Sequence, residues 1–313
     1  MDNGTGMIYV DDVGWVTTQS HVVEVMLSIL LTEESLGLNV AYEKLHVTST
    51  PHNLGYVWNL HDLTVSLPEE KRGKLLSDLS EVIASHSTTA ISPSLLDRLT
   101  GRLTWATQIA PMYSSELSAF YALQASVRKH HLQRVRVSTA LVRSARIFLD
   151  LLQQPAMAST TAAQLLGWVT PADSGAVVVA DASLTGLGGV VFSLPSTTLT
   201  YDPDAVEWFH VTYADEPLVK ALVPSDLLTS SDIGPLELLA SVIGVVRALN
   251  RGFTTVTVLS DNVATVACIN RRRAKSARMN DTMKRLRLEW PSLGYSVASE
   301  HIQGELNHLA DFL

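Results

Sequence analysis

One cysteine, Cys268, stands in 313 residues, which excludes an intramolecular disulfide and any cysteine-based zinc cluster and suits a reducing compartment. Long apolar runs are missing as well. The longest stretch, residues 22–31, is broken by Glu24 and Ser28 and is far too short to span a bilayer. The opening residues, Met-Asp-Asn-Gly-Thr-Gly, lack the basic segment and apolar core of a secretory signal. These absences predict a soluble, intracellular protein with no membrane partner. No internal repeat is present. Positive charge is in deficit, 23 Lys and Arg against 31 Asp and Glu for a formal charge of −8. That balance argues mildly against nucleic-acid binding, because phosphates are met chiefly by Lys and Arg.

What is present is a globular composition, 46% apolar and 17% charged, in a chain long enough for two or three domains. Charge is segregated: basic residues gather from Arg128 to Arg146 and from Arg271 to Arg287, and residues 202–232 are acidic. Either basic run alone is also what a solvated face looks like. The patterning predicts a hairpin over residues 7–16 with Asp11 and Asp12 at its turn. A helix is predicted over 20–36, with Val23, Met26, Leu27, Leu30 and Leu31 on one face, then short strands over 45–48 and 54–58. From residue 67 the character is helical. Pro68 precedes Glu69 and Glu70, Ser92-Pro93 opens a second helix, and two more are expected over 114–131 and 138–152. Residues 154–163, rich in Ala, Ser, Thr and Pro, read as a linker. After them come strands over 176–180 and 188–193 joined through Gly186, a third over 208–213, and a helix over 235–250 closed by Gly252. A strand over 256–259, helices over 262–270 and 279–288, a strand over 295–298 and a terminal helix from Asn307 complete a mixed α/β (α+β) domain.

Four acids in the second half occupy informative places. Asp181 and Asp261 each follow an apolar strand, Glu237 sits in the first turn of its predicted helix, and Asp311 lies in the terminal helix. A desolvated carboxylate is costly unless it pairs or binds a cation. Capping a strand end or helix start would account for Asp181 or Asp261 taken singly. Phosphodiester hydrolysis gives the set a common use, because two divalent ions roughly 4 Å apart activate water and stabilise the leaving oxygen. An all-oxygen donor set suits Mg²⁺ or Mn²⁺.

The order of these segments, Val-Ala-Asp181-Ala-Ser, Pro-Leu-Glu237-Leu, Leu-Ser-Asp261-Asn and Asn307-His-Leu-Ala-Asp311, resembles the RNase H domain of retroelements over residues 176–313. The resemblance implies a metal-binding set of Asp181, Glu237, Asp261 and Asp311, with Asn262 and Asn307 beside it on the nucleic-acid side. It also implies an RNA–DNA hybrid as partner, whose backbone the basic segment Arg271 to Arg287, with Arg271, Arg272 and Arg273 at its head, is expected to track. The family's mobile histidine usually follows a glycine. Here His301 precedes Gly304 in a shorter loop, a form similar to that of tyrosine-recombinase (DIRS-type) elements, and a plain strand-end histidine is the alternative.

The first half carries a second resemblance. Tyr9-Val10-Asp11-Asp12, Leu36-Gly-Leu-Asn39 with Lys44, Leu54-Gly-Tyr-Val-Trp58, Leu67-Pro-Glu-Glu-Lys71 and Leu99-Thr-Gly-Arg-Leu-Thr-Trp105 are similar to segments that follow the catalytic acids in reverse transcriptases. This implies the C-terminal part of a palm over residues 1–62, a helical thumb or connection over 63–155, a linker over 156–175 and the RNase H-like domain over 176–313. Asp11 and Asp12 would be palm metal acids, Lys44 a lysine near the incoming nucleotide, and Leu54 and Gly55 part of a primer grip. With the family's upstream palm aspartate and fingers not in the sequence, the expectation is hybrid cleavage without templated DNA synthesis. The rival expectations are a catalytically silent nucleic-acid-binding remnant and a different RNase H-fold enzyme.

Overall fold

The computed structural model describes residues 4–9, 12–39, 41–86, 90–154, 159–161, 175–193, 206–213, 229–289 and 296–307. The chain divides into two compact units, Met1–Pro51 and His52–Leu313. In the first unit β1 (Gly4–Tyr9) pairs antiparallel with β2 (Asp12–Thr17), and Tyr9 stands opposite Asp12. The expected hairpin is therefore formed, and both strands run farther from the turn than the apolar pattern implied. Val10 and Asp11 lie outside the described residues. A 3-10 turn at Gln19–His21 leads into α1 (Val22–Ser35), on which no residue is buried and Val23, Leu27 and Leu31 are exposed. No strand forms over residues 45–48, where only extended chain follows a 3-10 turn at Tyr42–Lys44.

The second unit begins with a four-stranded sheet in the order β3 (His52–Asn53), β4 (Tyr56–Asn59), β5 (Thr64–Ser66), β6 (Ser159–Thr161). Leu54 and Gly55 were expected to open a strand. Both have positive φ, 51° and 85°, so they form the two-residue turn of the β3–β4 hairpin instead. β6 falls within the stretch expected as linker and pairs antiparallel with β5.

Four helices follow the first three strands: α2 (Glu69–Ala84), α3 (Pro93–Ala106), α4 (Leu117–His130) and α5 (Thr139–Gln153). Their starts are chemically marked. Ser92 and Ser138 accept hydrogen bonds from the backbone N–H groups of Leu95 and Leu141 at 3.1 and 3.2 Å, satisfying N–H groups that a helix start leaves without partners. Leu79, Leu99, Leu103, Leu117, Phe120 and Phe148 bury themselves between these helices, each contributing about 1.5–3 kcal/mol of transfer free energy.

The other half is a five-stranded mixed sheet in the order β11-β10-β7-β8-β9, the class expected from the sequence. β7 (Gly175–Ala182) and β8 (Gly186–Ser193) form one hairpin, and β9 (Val206–Thr212) extends it antiparallel. β10 (Thr255–Ser260) and β11 (Ser296–His301) run parallel to β7 on its other side. α6 (Ile233–Asn250) lies on β7 and β8, and α7 (Val263–Arg271) and α8 (Ala277–Glu289) connect β10 to β11. A second apolar core, with Val178, Leu187, Leu236, Leu239 and Val258 at its centre, fills the space between α6 and the sheet. A 3-10 turn at Gly304–Leu306 follows β11. The terminal helix expected beyond Asn307, and Asp311 on it, lie outside the described residues.

Candidate functional site

Register decides which acids meet. β10 is parallel to β7, with Val258 opposite Val178 and Leu259 opposite Val179. Two residues farther along each chain, Asp261 and Asp181 leave the same end of the sheet side by side. Glu237 reaches them from α6, which can lie close on β7 because residue 244 is glycine: a Cβ there would overlap Val178 Cγ1. α6 starts at Ile233, two residues earlier than the sequence pattern implied, so Glu237 sits in its second turn rather than its first.

The start of α6 is held by a capping box. Asp232 accepts hydrogen bonds from the backbone N–H and the hydroxyl of Thr229, both at 2.8 Å, and Arg278 on α8 donates to its other oxygen. The Thr229 backbone bond, followed by its hydroxyl and Arg278, holds the Asp232 carboxyl below the usual carboxylate range. The Thr-x-x-Asp spacing of residues 229–232 is a helix-start signal that the sequence reading did not use, and its place ahead of Glu237 emerges from the structure.

Glu237 is strongly perturbed by its surroundings. Burial, followed by the charges of Asp181 and Asp261, pushes its carboxyl up to about 7 against the opposing hydrogen bond from Asn262. Its Oε2 is buried with no hydrogen-bond partner among the described residues. Asn262 works at both ends: Oδ1 accepts from the N–H groups of Ala264 and Thr265 at 2.8 and 3.1 Å, capping α7, while its amide donates to Glu237.

His301 closes over the same end of the sheet. Its Nε2 lies 3.1 Å from the backbone carbonyl of Asp261, so that nitrogen carries the proton. A Cβ on Gly304 would stand 3.4 Å from Asp261 Oδ2, which puts the shortened loop against this carboxylate. Asn307 is fully buried, and neither polar atom of its amide has a partner among the described residues. One neighbour was not foreseen. The Tyr213 hydroxyl lies against the carbonyls of Ser183 and Gly186, the latter at 3.0 Å. Burial and then the charge of Asp181 push its pKa up to about 12. Its place just after an edge strand carries no signal in sequence.

The other described residues singled out in sequence belong to other elements. Lys44 ends an exposed 3-10 turn. The Gly55 carbonyl accepts from Lys71 Nζ at 3.3 Å, and that ammonium lies 4.5 Å from the centre of the Trp105 ring. Asp12 closes the β1–β2 hairpin opposite Tyr9. Of the arginine run, Arg271 is exposed at the end of α7. Arg272 has a φ of 54° and donates to the carbonyls of Ile269 and Val297. Arg273 lies over the Tyr121 ring at 5.5 Å and donates to its hydroxyl at 3.1 Å. Two of the three cations thus have partners within the protein.

Among the described residues, no three of the types His, Cys, Asp and Glu are gathered closely enough to hold a metal ion unaided. The donor chemistry of the acids still suits a hard cation, because carboxylate oxygens are hard donors and Glu237 Oε2 is buried without a partner among the described residues. No helix among the described residues is long and apolar enough to cross a membrane.

No protein-family model and no curated protein matches the sequence. Among solved structures, the foamy viral protease-reverse transcriptase dRH in complex with double-stranded DNA aligns with 94% of the chain at 13% identity and a TM-score of 0.42. The foamy viral protease-reverse transcriptase in complex with RNA/DNA hybrid aligns with 94% at 14% identity and a TM-score of 0.43. The chain spans 46% and 35% of the length of these two proteins. RNase H1 from Halobacterium salinarum NRC-1 aligns with 45% of the chain over 92% of its own length, at 12% identity and a TM-score of 0.31.

Proposed function

We propose that this chain is a metal-dependent nuclease of the RNase H type, of retroelement reverse-transcriptase ancestry, that hydrolyses the RNA strand of RNA–DNA hybrids. The observation that supports the reading is that Asp181 and Asp261 stand at the same end of neighbouring parallel strands, near enough to the half-buried Glu237 for their charges to raise its carboxyl. Asp181, Glu237 and Asp261, with Asp311 as a fourth acid, would hold Mg²⁺ or Mn²⁺. Bound there, such ions supply an activated water and stabilisation of the leaving oxygen.

The protein's own groups have separable tasks. Asn262 orients Glu237 while capping α7. The Thr229–Asp232–Arg278 bonds hold the helix start from which Glu237 projects. Tyr213 presses on the carbonyls of the β7–β8 turn beside Asp181. Arg271, exposed at the end of α7, is free to meet backbone phosphate, whereas Arg272 and Arg273 support the surface around it. In the same reading Asp11, Asp12, Lys44, Leu54 and Gly55 are inherited palm positions, with a thumb or connection over residues 63–155.

The test is cleavage of an end-labelled RNA strand in a hybrid with Mg²⁺ or Mn²⁺. Cleavage is expected, and Asp181→Asn should lower it by about 10²-fold or more, equivalent to about 2.7 kcal/mol of transition-state stabilisation, while hybrid binding persists. Binding without cleavage in either metal would instead establish a silent nucleic-acid-binding remnant. Cleavage that survives Asp181→Asn would show the site to be elsewhere.

A further inference from the structure

A cleft of about 400 Å³ lies between α5 and the end of α8, lined by Arg143, Arg146 and Arg287 with Thr139, Ile147 and Leu288. It is built from elements other than those that carry Asp181, Glu237 and Asp261. Arg143 and Arg146 are three residues apart on α5 and so share a face. Both are exposed, and among the described residues neither pairs with an acid. Arg287 is nine-tenths buried. One of its amino groups donates to Glu116 Oε1 at 3.0 Å, its guanidinium lies 5.2 Å from the centre of the Tyr113 ring, and its Nε–H has no partner among the described residues.

Three arginines therefore line one space, and among the described residues the carboxylate that pairs with any of them is Glu116, which is also approached by Lys284 at 3.9 Å. Like charges gathered in this way repel unless an anion joins them. A buried N–H without a partner costs further free energy until an acceptor arrives. Guanidinium forks match the oxygens of phosphate. Ile147 and Leu288 add an apolar wall that an ester's organic part can cover and a bare ion cannot.

We propose that this cleft is a phosphate-ester site, taking either a backbone phosphate of a polynucleotide or the phosphates of a free nucleotide. It is independent of the nuclease reading. The test uses the full chain with two probes, a fluorescent RNA–DNA hybrid followed by anisotropy and a fluorescent ATP analogue, both at low salt. Arg143→Gln with Arg146→Gln should weaken binding of at least one probe about tenfold or more. It should also flatten the salt dependence for the hybrid and leave the melting temperature unchanged, since both side chains are exposed. Loss confined to the hybrid assigns the cleft to polynucleotide backbone, and loss for the nucleotide assigns it to a free ligand. The corresponding pair of lysine substitutions should recover binding only in part, because charge returns without the fork. Equal binding of both probes by the glutamine variant and the unaltered protein, or no binding of either probe by the latter, overturns the proposal.

Discussion

The chemistry of the candidate site turns on one carboxyl group. The Glu237 value of about 7 lies above its ordinary 4.5, so the unfolded chain gives up this proton first as the pH rises. The stability associated with the neutral group is complete below about pH 4.5, is lost between there and about pH 7, and does not change further above. Glu237→Gln removes that loss. Without divalent metal at about pH 8 the variant should be more stable by roughly 1 kcal/mol, about 2–4 °C in melting temperature, once solvent screening of this half-buried group is allowed for. At about pH 4 the two proteins should melt together. Adding Mg²⁺ should raise the melting temperature of the unaltered protein and narrow the gap. A variant less stable than its parent at pH 8 would mean that burial of the carboxylate is already compensated. Asp181, Glu237 and Asp261 were legible in the sequence because an ionisable group next to an apolar run needs a reason. Tyr213 was not, because its relation to Asp181 exists only once β8 and β9 are paired.

Among the elements, α6 sets the geometry of the site. Ala in place of Gly244 would improve helix propensity by about 1 kcal/mol, yet its Cβ would overlap Val178 on the strand that carries Asp181. Overpacking costs about 1–3 kcal/mol, so the expected net effect of Gly244→Ala is destabilisation, read from the urea midpoint at unchanged slope. Cleavage should fall more than stability does, because lifting α6 moves Glu237 away from Asp181. An unchanged midpoint with full cleavage would show that the helix has room to spare.

Three of the helices that the sequence revealed have starts that carry chemistry: Ser92, Ser138 and Asn262 each cap the helix expected there. The elements it concealed lack such marks. Leucine seldom adopts positive φ, so Leu54-Gly55 reads as the start of a strand when it is a turn. Ser159–Thr161 joins a sheet through backbone pairing, which leaves no apolar period to read. Arg272 reads as one more surface cation until its left-handed backbone turns the guanidinium onto the carbonyls of Ile269 and Val297.

At the scale of the second unit, two apolar cores are joined through a polar seam. Glu116, in the 3-10 turn Pro111–Glu116 beside the helical core, is 2% exposed and accepts from Ser144 Oγ at 2.8 Å and from Arg287 Nη2 at 3.0 Å. Its partner Arg287 lies 171 residues away on α8. The succession of strands and helices separates the two halves on paper, but nothing local to either residue announces a pairing over such a distance. Two buried charges hold each other at a desolvation cost, and removing one leaves the other exposed to the whole of it. Glu116→Ala should therefore cost about 3–5 kcal/mol. Glu116→Leu together with Arg287→Met, which removes both charges at similar volume, should restore most of that loss. Urea unfolding of the single and double variants gives the coupling directly. If the double variant is no more stable than the worse single one, the seam is held by packing of Tyr113 and its neighbours, and the ion pair is incidental to it.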